Sequence, residues 1–182
     1  MDFIILNQIQ IKNGLQLELR QPVVEDAEKM IEYLNKVGGE SDNLLFGKDE
    51  FHLTIQEEAA YIESINSNPN TLMILGTIED SIVSVAQIST SARKRIAHNS
   101  EIAISVKKEY WKSGVGTAVM NELIKFAKES EVILNVSLGV RAGNRHAIRL
   151  YENCGFETVG VHKDYFYIDG VYYDEILMDL RV

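Results

Sequence analysis

The sequence predicts a single α/β (α+β) domain, residues 1–182, with one central sheet and helices on both faces. A chain of 182 residues is long enough for one sizeable core but not for two independent domains. The dipeptides Asn13-Gly14 and Asp169-Gly170 are hairpin signals that indicate antiparallel strand pairs near both ends. Between them, segments with the two-residue period of strands are mixed with segments that have helical spacing.

The predicted elements follow from local signals. Pro22 ends the second strand, Gly38-Gly39 stops the first helix, and Thr54 with Glu57 forms a capping box that opens the second. Strands are expected around residues 9–11 and at 15–19, 71–78, 81–89, 96–106, 132–138, 156–168 and 171–180. Helices are expected at 24–37, 54–66, 116–130 and 144–153, and residues 40–53 are polar and irregular.

Composition excludes several classes of partner. A net charge of −9 argues against nucleic acid, and it is compatible with a cationic substrate such as an amine or with solubility alone. No apolar run is long enough to span a bilayer, and Asp2 stands where a signal peptide carries basic residues. Cys154 is the only cysteine, which fits a reducing compartment. We therefore expect a cytoplasmic protein without membrane or nucleic-acid partners.

One stretch predicts a binding site for an anion. A strand pattern formed by Ile102, Ile104 and Val106 runs into a short polar segment, then into Gly114 and Gly116, and a helix begins directly after them. Glycines let backbone N–H groups approach a ligand, and a helix N-terminus adds unpaired N–H groups and a positive dipole end. The combination is most natural for a pyrophosphate.

Two common phosphate-binding motifs do not fit this stretch. A Walker loop requires its Lys-Ser pair after the glycines, but here Lys112 and Ser113 precede them. A dinucleotide-binding fingerprint requires a third glycine where this chain has Val119.

Two segments instead carry a family resemblance. Residues 111–116 resemble motif A of the GNAT N-acetyltransferases, [QR]-x-x-G-x-[GA], with both glycines in place and Trp111 where the family has Gln or Arg. Residues 144–156 resemble motif B, N-x-x-A-x-x-[LF]-Y-x-x-x-G-F, at every defining position. The two motifs are separated by one predicted helix and one predicted strand, as in the family. The resemblance covers essentially the whole chain.

The resemblance implies a mixed, mostly antiparallel GNAT-like sheet and acetyl-CoA as co-substrate, with no metal. The pyrophosphate would lie on the amides of residues 112–117, and the pantetheine arm would bind the main chain beside Val106, whose N–H would polarise the thioester carbonyl. The cofactor-binding residues expected from the resemblance are Ile104, Ser105, Val106, Trp111, Lys112, Ser113, Gly114, Val115, Gly116, Thr117, Asn144 and Tyr151.

The resemblance also suggests Tyr151 as the general acid that protonates the departing thiolate. Tyr151 follows Asn144 by seven residues, which places both near one face of a helix. The alternative for Tyr151 is a core tyrosine with a satisfied hydroxyl. For Asn144, contact with the cofactor and capping of the helix are both open.

Glu101 is the candidate general base, acting directly or through water. It precedes the cofactor site on the same strand, where residues 101, 103 and 105 alternate with residues 102, 104 and 106. A solvent-facing role for Glu101 stays open, and His98 is the second candidate base. Cys154 is a poor nucleophile because it lies at a helix C-terminus. The four histidines show no metal-ligand spacing.

The acceptor is expected to be a primary amine, bound by residues 40–53 and the hairpin at 164–174, whose tyrosines are equally suited to packing in the sheet. The basic triplet at 93–95 is expected to be a solvated loop, with contact to other phosphates of the ligand as the alternative. Two functions stay open at this point. One is direct acetyl transfer in a ternary complex, and the other is a non-catalytic acyl-CoA-binding domain. A homodimer is compatible with either.

Overall fold

A computed structural model describes residues 3–182 of the chain. In this range the strands are β1 (Ile5–Gln10), β2 (Gln16–Arg20), β3 (Thr71–Ile78), β4 (Ser81–Thr90), β5 (Asn99–Val106), β6 (Asn135–Arg141), β7 (Glu157–Ile168) and β8 (Val171–Arg181). The α-helices are α1 (Ala27–Gly38), α2 (Ile55–Asn66), α3 (Val115–Glu129) and α4 (Arg145–Asn153). Met1 and Asp2 lie outside the described residues. The prediction against a signal peptide, which depends on Asp2, therefore lies outside them as well.

The strands form one sheet in the order β1-β2-β3-β4-β5-β6-β8-β7. Every neighbouring pair is antiparallel except β5 and β6, which are parallel. This arrangement confirms the predicted mixed, mostly antiparallel sheet. No helix within residues 3–182 is both long enough and apolar enough to cross a membrane.

Helices cover both faces of the sheet, as predicted, and two separate apolar clusters result. Helices α1 and α2 pack over β3 and β4 with the buried side chains of Ala27, Met30, Tyr33, Val37, Ile62, Ile65, Met73, Leu75 and Ile82. Helices α3 and α4 pack on the opposite face, where Val115, Val119, Met120, Leu123 and Tyr151 meet strand residues that include Ile74, Ile88, Ile102 and Val136. The two faces of the sheet are therefore covered by two different pairs of helices.

Strands β5 and β6 pair over only three residues. Asn99, Ser100 and Glu101 of β5 lie opposite residues 135–137 of β6. Beyond this point β6 continues its pairing with β8, and β5 continues its pairing with β4. The two central strands thus diverge and leave one edge of β5 unpaired from Ile102 to Val106.

Strand β5 starts three residues later than its apolar pattern predicts. Residues 94–98 form turns, in which the N–H of Ile96 donates to the carbonyl of Arg93 and the N–H of Asn99 to that of Ile96. The predicted strand start at Ile96 was wrong because these local hydrogen bonds hold the chain in turns until it reaches its partner strands.

Strand β6 is also displaced, to 135–141 from the predicted 132–138. The hydroxyl of Ser130 accepts hydrogen bonds from the N–H groups of Val132 and Ile133, at 3.2 Å each, and thereby forms a turn after α3. The apolar run at 132–134 therefore belongs to a connection, and pairing with β5 begins only at Asn135.

Candidate active site

A cleft of about 1350 Å³ lies where β5 and β6 diverge. Its walls come from β5, the first turn of α3, helix α4, and the α1–α2 layer with residues 40–53. The cleft reaches both faces of the sheet, so it brings together motifs that lie far apart in the sequence. Among the expected cofactor-binding residues, the cleft is lined by Ile104, Ser105, Val106, Trp111, Lys112, Ser113, Gly114, Gly116, Thr117, Asn144 and Tyr151.

The unpaired edge of β5 presents alternate backbone groups to this cleft. The N–H of Lys107 donates to the carbonyl of Val83 on β4 at 2.9 Å, and the hydroxyl of Ser84 donates to the carbonyl of Ser105 at 2.8 Å. Since backbone groups alternate direction along a strand, those of Ile104 and Val106 point away from β4. A ligand in the cleft can therefore bond to Ile104 and Val106 as an added strand would.

Ser105 faces the α1–α2 layer instead. Its hydroxyl lies 3.1 Å from the hydroxyl of Tyr33 on α1 and donates to the carbonyl of Val85 at 3.3 Å. Ser105 lines the cleft, but its side-chain oxygen and its carbonyl already have protein partners. Its role in cofactor binding stays a prediction.

Trp111 makes a contact that the motif comparison does not anticipate. Its indole Nε1 donates to the carbonyl of Val106 at 2.8 Å, and 39% of the residue is exposed. The indole therefore occupies the last outward-facing carbonyl of β5 and leaves the Val106 N–H available. At this position the family has the side-chain donor of a Gln or an Arg. In this protein the donor is the indole N–H of Trp111, and it binds the C-terminal end of β5.

Replacing Trp111 with phenylalanine tests that contact. We expect the free energy of unfolding to fall by about 1 kcal/mol, because one hydrogen bond is lost while an aromatic, though smaller, ring stays at this half-exposed position. The Kd for acetyl-CoA, measured by calorimetry, should change less than about threefold if backbone amides dominate its binding. A much larger loss of affinity in the Phe variant would mean that the indole N–H itself serves the ligand.

Glycine is needed at positions 114 and 116 for two different physical reasons. Gly114 is the N-cap of α3 with φ 105°, in the left-handed region, and no atom lies within 4 Å of where a Cβ would be. Gly116 has an ordinary φ, but a Cβ there would lie 3.1 Å from Leu150 Cδ2 on α4. Gly114 thus shapes the open cradle, and Gly116 allows α4 to pack closely beside it.

The first turn of α3 is suited to an anion. Its leading N–H groups, those of Val115, Gly116 and Thr117, have no intrahelical acceptor. No acidic residue lies in this first turn, whereas the first turns of α1 and α2 both contain glutamates. The positive end of the helix dipole is therefore not neutralised by a carboxylate of its own first turn.

The loop before α3 is held in place from both sides. The N–H of Lys12, in the β1–β2 turn, donates to the carbonyl of Ser113 at 3.0 Å. The hydroxyl of Ser113 donates to the carbonyl of Tyr110 at 2.6 Å, and its N–H reaches the same carbonyl at 3.4 Å. Ser113 thus stabilises the loop through these hydrogen bonds. The backbone N–H groups of the first turn of α3, which follow it, are left free to bind a ligand.

Tyr151 lines the cleft from α4 and is 7% exposed. Its ring packs against Phe156 with centroids 6.1 Å apart, and its hydroxyl has no hydrogen-bond partner within residues 3–182. Burial raises the pKa of Tyr151 to about 12, so the phenol keeps its proton at neutral pH. The side-chain oxygen of Asn144, in the same cleft, accepts from the N–H of Ala147 at 3.2 Å and caps α4.

Glu101 and His98 have different positions relative to the cleft. Glu101 lies on β5 opposite Ser89 of β4, on the face covered by α1 and α2, and its exposed side chain lines the cleft. His98 is exposed in the turn before β5 and does not line the cleft. Of the two candidate bases, only Glu101 borders the space where an acceptor would bind.

Residues 40–53 cover the cleft on the α1–α2 side and are pinned to it at several points. Glu40 Oε2 accepts from the N–H of Lys108 at 2.7 Å, and Asn43 Oδ1 accepts from Arg141 Nε at 3.3 Å. A Cβ on Gly38 would clash with the carbonyl of Gly47, so the segment lies directly on the end of α1. The role of residues 40–53 in acceptor choice stays a prediction.

Several other candidates do not line the cleft. No residue of the hairpin at 164–174 borders it, although Arg141, which does, stacks on the ring of Tyr173 at 4.7 Å. The basic triplet at 93–95 is an exposed turn away from the cleft. Burial raises the pKa of the Cys154 thiol, which disfavours a thiolate nucleophile. Residues 3–182 contain no group of three or more His, Cys, Asp or Glu placed to hold a metal.

Sequence reasoning missed Glu58. It lies on α2 and lines the cleft, yet it is only 1% exposed. Its spacing of four and seven residues before Ile62 and Ile65 puts it on the buried side of α2, and this charged position within an apolar pattern was the available signal.

Comparisons with known proteins agree with this architecture. The model of the Acetyltransferase (GNAT) family matches residues 42–156. An N-alpha-acetyltransferase of Sulfurisphaera tokodaii is 28% identical over 87% of this chain and 90% of its own. The L-amino acid N-acetyltransferase AaaT of Escherichia coli is 28% identical over 64% of this chain and 72% of its own. A crystal structure of a GNAT acetyltransferase from Streptococcus pneumoniae superposes with a TM-score of 0.88 at 28% identity and covers 91% of this chain and 99% of its own.

Proposed function

The chain belongs to the GNAT acetyltransferase family, and on that premise we propose that it transfers an acetyl group directly to a primary amine in a ternary complex. It is an acetyl-CoA-dependent acyltransferase. The observation that carries the finer proposal is the divergence of β5 and β6, which opens a free strand edge, a helix N-terminus and a buried tyrosine onto one cleft. The proposal includes a cytoplasmic location.

The residues of the cleft fit the donor. Acetyl-CoA supplies an activated acetyl thioester when it is bound. The first-turn amides of α3 and the open surface of Gly114 receive the pyrophosphate, since that turn carries no acidic side chain. The outward backbone groups of Ile104 and Val106 bind the pantetheine arm, and the Val106 N–H hydrogen-bonds the thioester oxygen.

Two side chains move the protons. Glu101 takes a proton from the acceptor's ammonium, directly or through one water, so that the nitrogen lone pair can form the new N–C bond. The C–S bond then breaks and Tyr151 gives its proton to the departing sulfur. The second proton, which the nitrogen loses as the amide forms, returns to the Tyr151 phenolate. Tyr151 is suited to this step because it is protonated at neutral pH and its hydroxyl has no other partner in the described chain.

The acceptor is proposed to be a primary amine on a small molecule or at a peptide or protein N-terminus. One relative is named as an L-amino acid N-acetyltransferase and the other as an N-alpha-acetyltransferase, which supports an amine acceptor of one of these two kinds. The net charge of −9 is compatible with a cationic acceptor.

Glu101→Gln is expected to lower kcat about 100-fold at a pH below the acceptor's pKa. The deficit should shrink as the pH approaches that pKa, because a growing fraction of the amine is already neutral. A pH profile of CoA release measures both effects. His98→Ala, which lies outside the cleft, is the control and should retain wild-type kcat. An unchanged pH profile in the Gln variant would remove Glu101 as the base.

The decisive test of the function is an amine panel. Free CoA release is measured with polyamines, amino acids, and peptides with free N-termini, alongside calorimetric binding of acetyl-CoA. Acetylation of at least one amine class supports the proposal. Clear acetyl-CoA binding without release on any amine would instead favour a non-catalytic acyl-CoA-binding domain.

A further inference from the structure

Glu58 is a buried carboxyl that the mechanism above does not use. The residue is 1% exposed, and its Oε2 has no hydrogen-bond partner in the part of the chain that the structure describes. Among the side-chain oxygens and nitrogens of residues 3–182 that are themselves closed to solvent, it alone lacks a partner. Buried polar groups are nearly always paired, so this one requires a reason.

A purely structural reason is hard to find. The N-terminus of α2 is capped by Thr54 and Glu57, which exchange hydrogen bonds, so Glu58 is not needed as a cap. No cation of residues 3–182 forms an ion pair with it. The other buried carboxylate of the α1–α2 layer, Asp26, is by contrast bound by both terminal nitrogens of Arg20.

The topology places Glu58 toward the reacting end of β5. Helix α2 leads through a short turn into β3 and so runs antiparallel to β3, which itself runs in the same direction as β5. Tyr61 on α2 donates to Gln87, which pairs with Ala103 of β5. Glu58 lies one turn earlier on α2, about 4.5 Å farther toward the C-terminal end of β5, where Val106 lies.

Several apolar side chains line the α1–α2 side of the cleft together with Glu58. Met30 and Leu34 of α1, Phe46 of the following segment and Met73 of β3 line the cleft on the same side of the sheet. A buried carboxyl beside such apolar side chains is suited to an ammonium carried on an apolar body.

We propose that Glu58 is the anchor for the acceptor's ammonium and selects primary amines attached to an apolar group. The assignment rests on the proposed acetyltransferase function and leaves proton removal to Glu101. Burial raises the pKa of Glu58 in the empty cleft, and an arriving ammonium would favour its ionised form. The carboxylate then gains a charged partner that residues 3–182 do not supply.

The test compares a cation with its neutral counterpart. Binding of n-hexylamine and 1-hexanol to the full chain saturated with CoA is measured by calorimetry at neutral pH. The wild type should prefer the amine by about tenfold or more, since a charge-assisted hydrogen bond is available only to the ammonium. In Glu58→Gln the preference should fall to within about twofold. Glu63→Gln, an exposed change on the same helix, should retain it.

The ratio of the two affinities separates an anchor from a structural residue. A distorted cleft would weaken both probes equally, whereas loss of the anchor weakens only the amine. For any amine that is turned over, Glu58→Gln should raise KM and change kcat little. Glu58→Gln should also unfold at the wild-type temperature or above it, because it removes a buried unpaired charge.

Two results would overturn the proposal. One is a wild type that binds hexanol as tightly as hexylamine, and the other is a Gln variant that keeps the full preference. A Glu58-dependent preference in a protein that acetylates no amine would uphold the anchor and reject the acetyltransferase function. Normal amine turnover with no Glu58-dependent preference would do the opposite.

Discussion

Replacing Tyr151 with phenylalanine is expected to lower kcat about 100-fold and to leave the Kd for acetyl-CoA unchanged. The phenylalanine ring can still pack against Phe156, so the fold and the cleft wall are retained. Only the hydroxyl proton is lost, and the departing sulfur must then take its proton from water. Stopped assays of CoA release at saturating acetyl-CoA measure kcat, and calorimetry measures Kd.

The pH dependence sharpens this test. Since the pKa of Tyr151 is raised to about 12, its acid form persists throughout the neutral and moderately alkaline range. The wild-type rate should therefore show no loss from Tyr151 ionisation below about pH 11. Tyr165→Phe, an exposed change outside the cleft, is the matched control. Full turnover of Tyr151→Phe at every pH would eliminate the acid role.

Replacing Asp26 with asparagine is expected to lower the free energy of unfolding by about 3 kcal/mol, the scale for breaking a buried ion pair. Arg20 donates to the two carboxylate oxygens at 2.7 and 2.8 Å, and Val23 N–H adds a third bond at 2.8 Å. Asparagine leaves the buried guanidinium of Arg20 without a counter-charge. Urea unfolding measures the difference, and Glu25→Gln, an exposed neighbour, should change it little.

The ion pair of Arg20 and Asp26 also predicts how the free energy of unfolding changes with pH. Burial alone would raise the pKa of Asp26, but hydrogen bonds from Arg20 and Val23 hold it below its ordinary value of 3.8. The stabilisation is therefore fully present above pH 3.8 and is lost as the pH falls through the lowered pKa. The difference between wild type and Asp26→Asn should shrink only under acid conditions. A difference that stays constant under those conditions would contradict the assignment.

These two predictions differ in what the sequence could foresee. Tyr151 stands at a defining position of motif B, so its candidacy is readable from residues 144–156. The ion pair of Arg20 and Asp26 is not readable, because no local pattern says that both side chains are buried. The capping box of Thr54 and Glu57 was predicted and is confirmed by both of its hydrogen bonds.

Some strand boundaries can likewise be predicted from the sequence, and others cannot. The hairpin around Asp169-Gly170 was predicted from its turn chemistry, and β7 and β8 meet there as expected. The starts of β5 and β6 were misplaced by three residues each, because the apolar runs at Ile96 and at 132–134 look like strand. Local turns and the available pairing partners decide such limits, and neither appears in a hydrophobic period.

The sequence by itself identified the family and predicted an anion cradle, because a glycine-spaced turn between a strand and a helix is a local feature. Only the tertiary structure decided where β5 and β6 separate, that the Trp111 indole binds the carbonyl of Val106, and that Glu58 lies unpaired within the cleft. Each of these depends on how residues distant in the chain, or on different elements, are brought together. Pairing, burial and the loss of water contact are properties of the assembled layers.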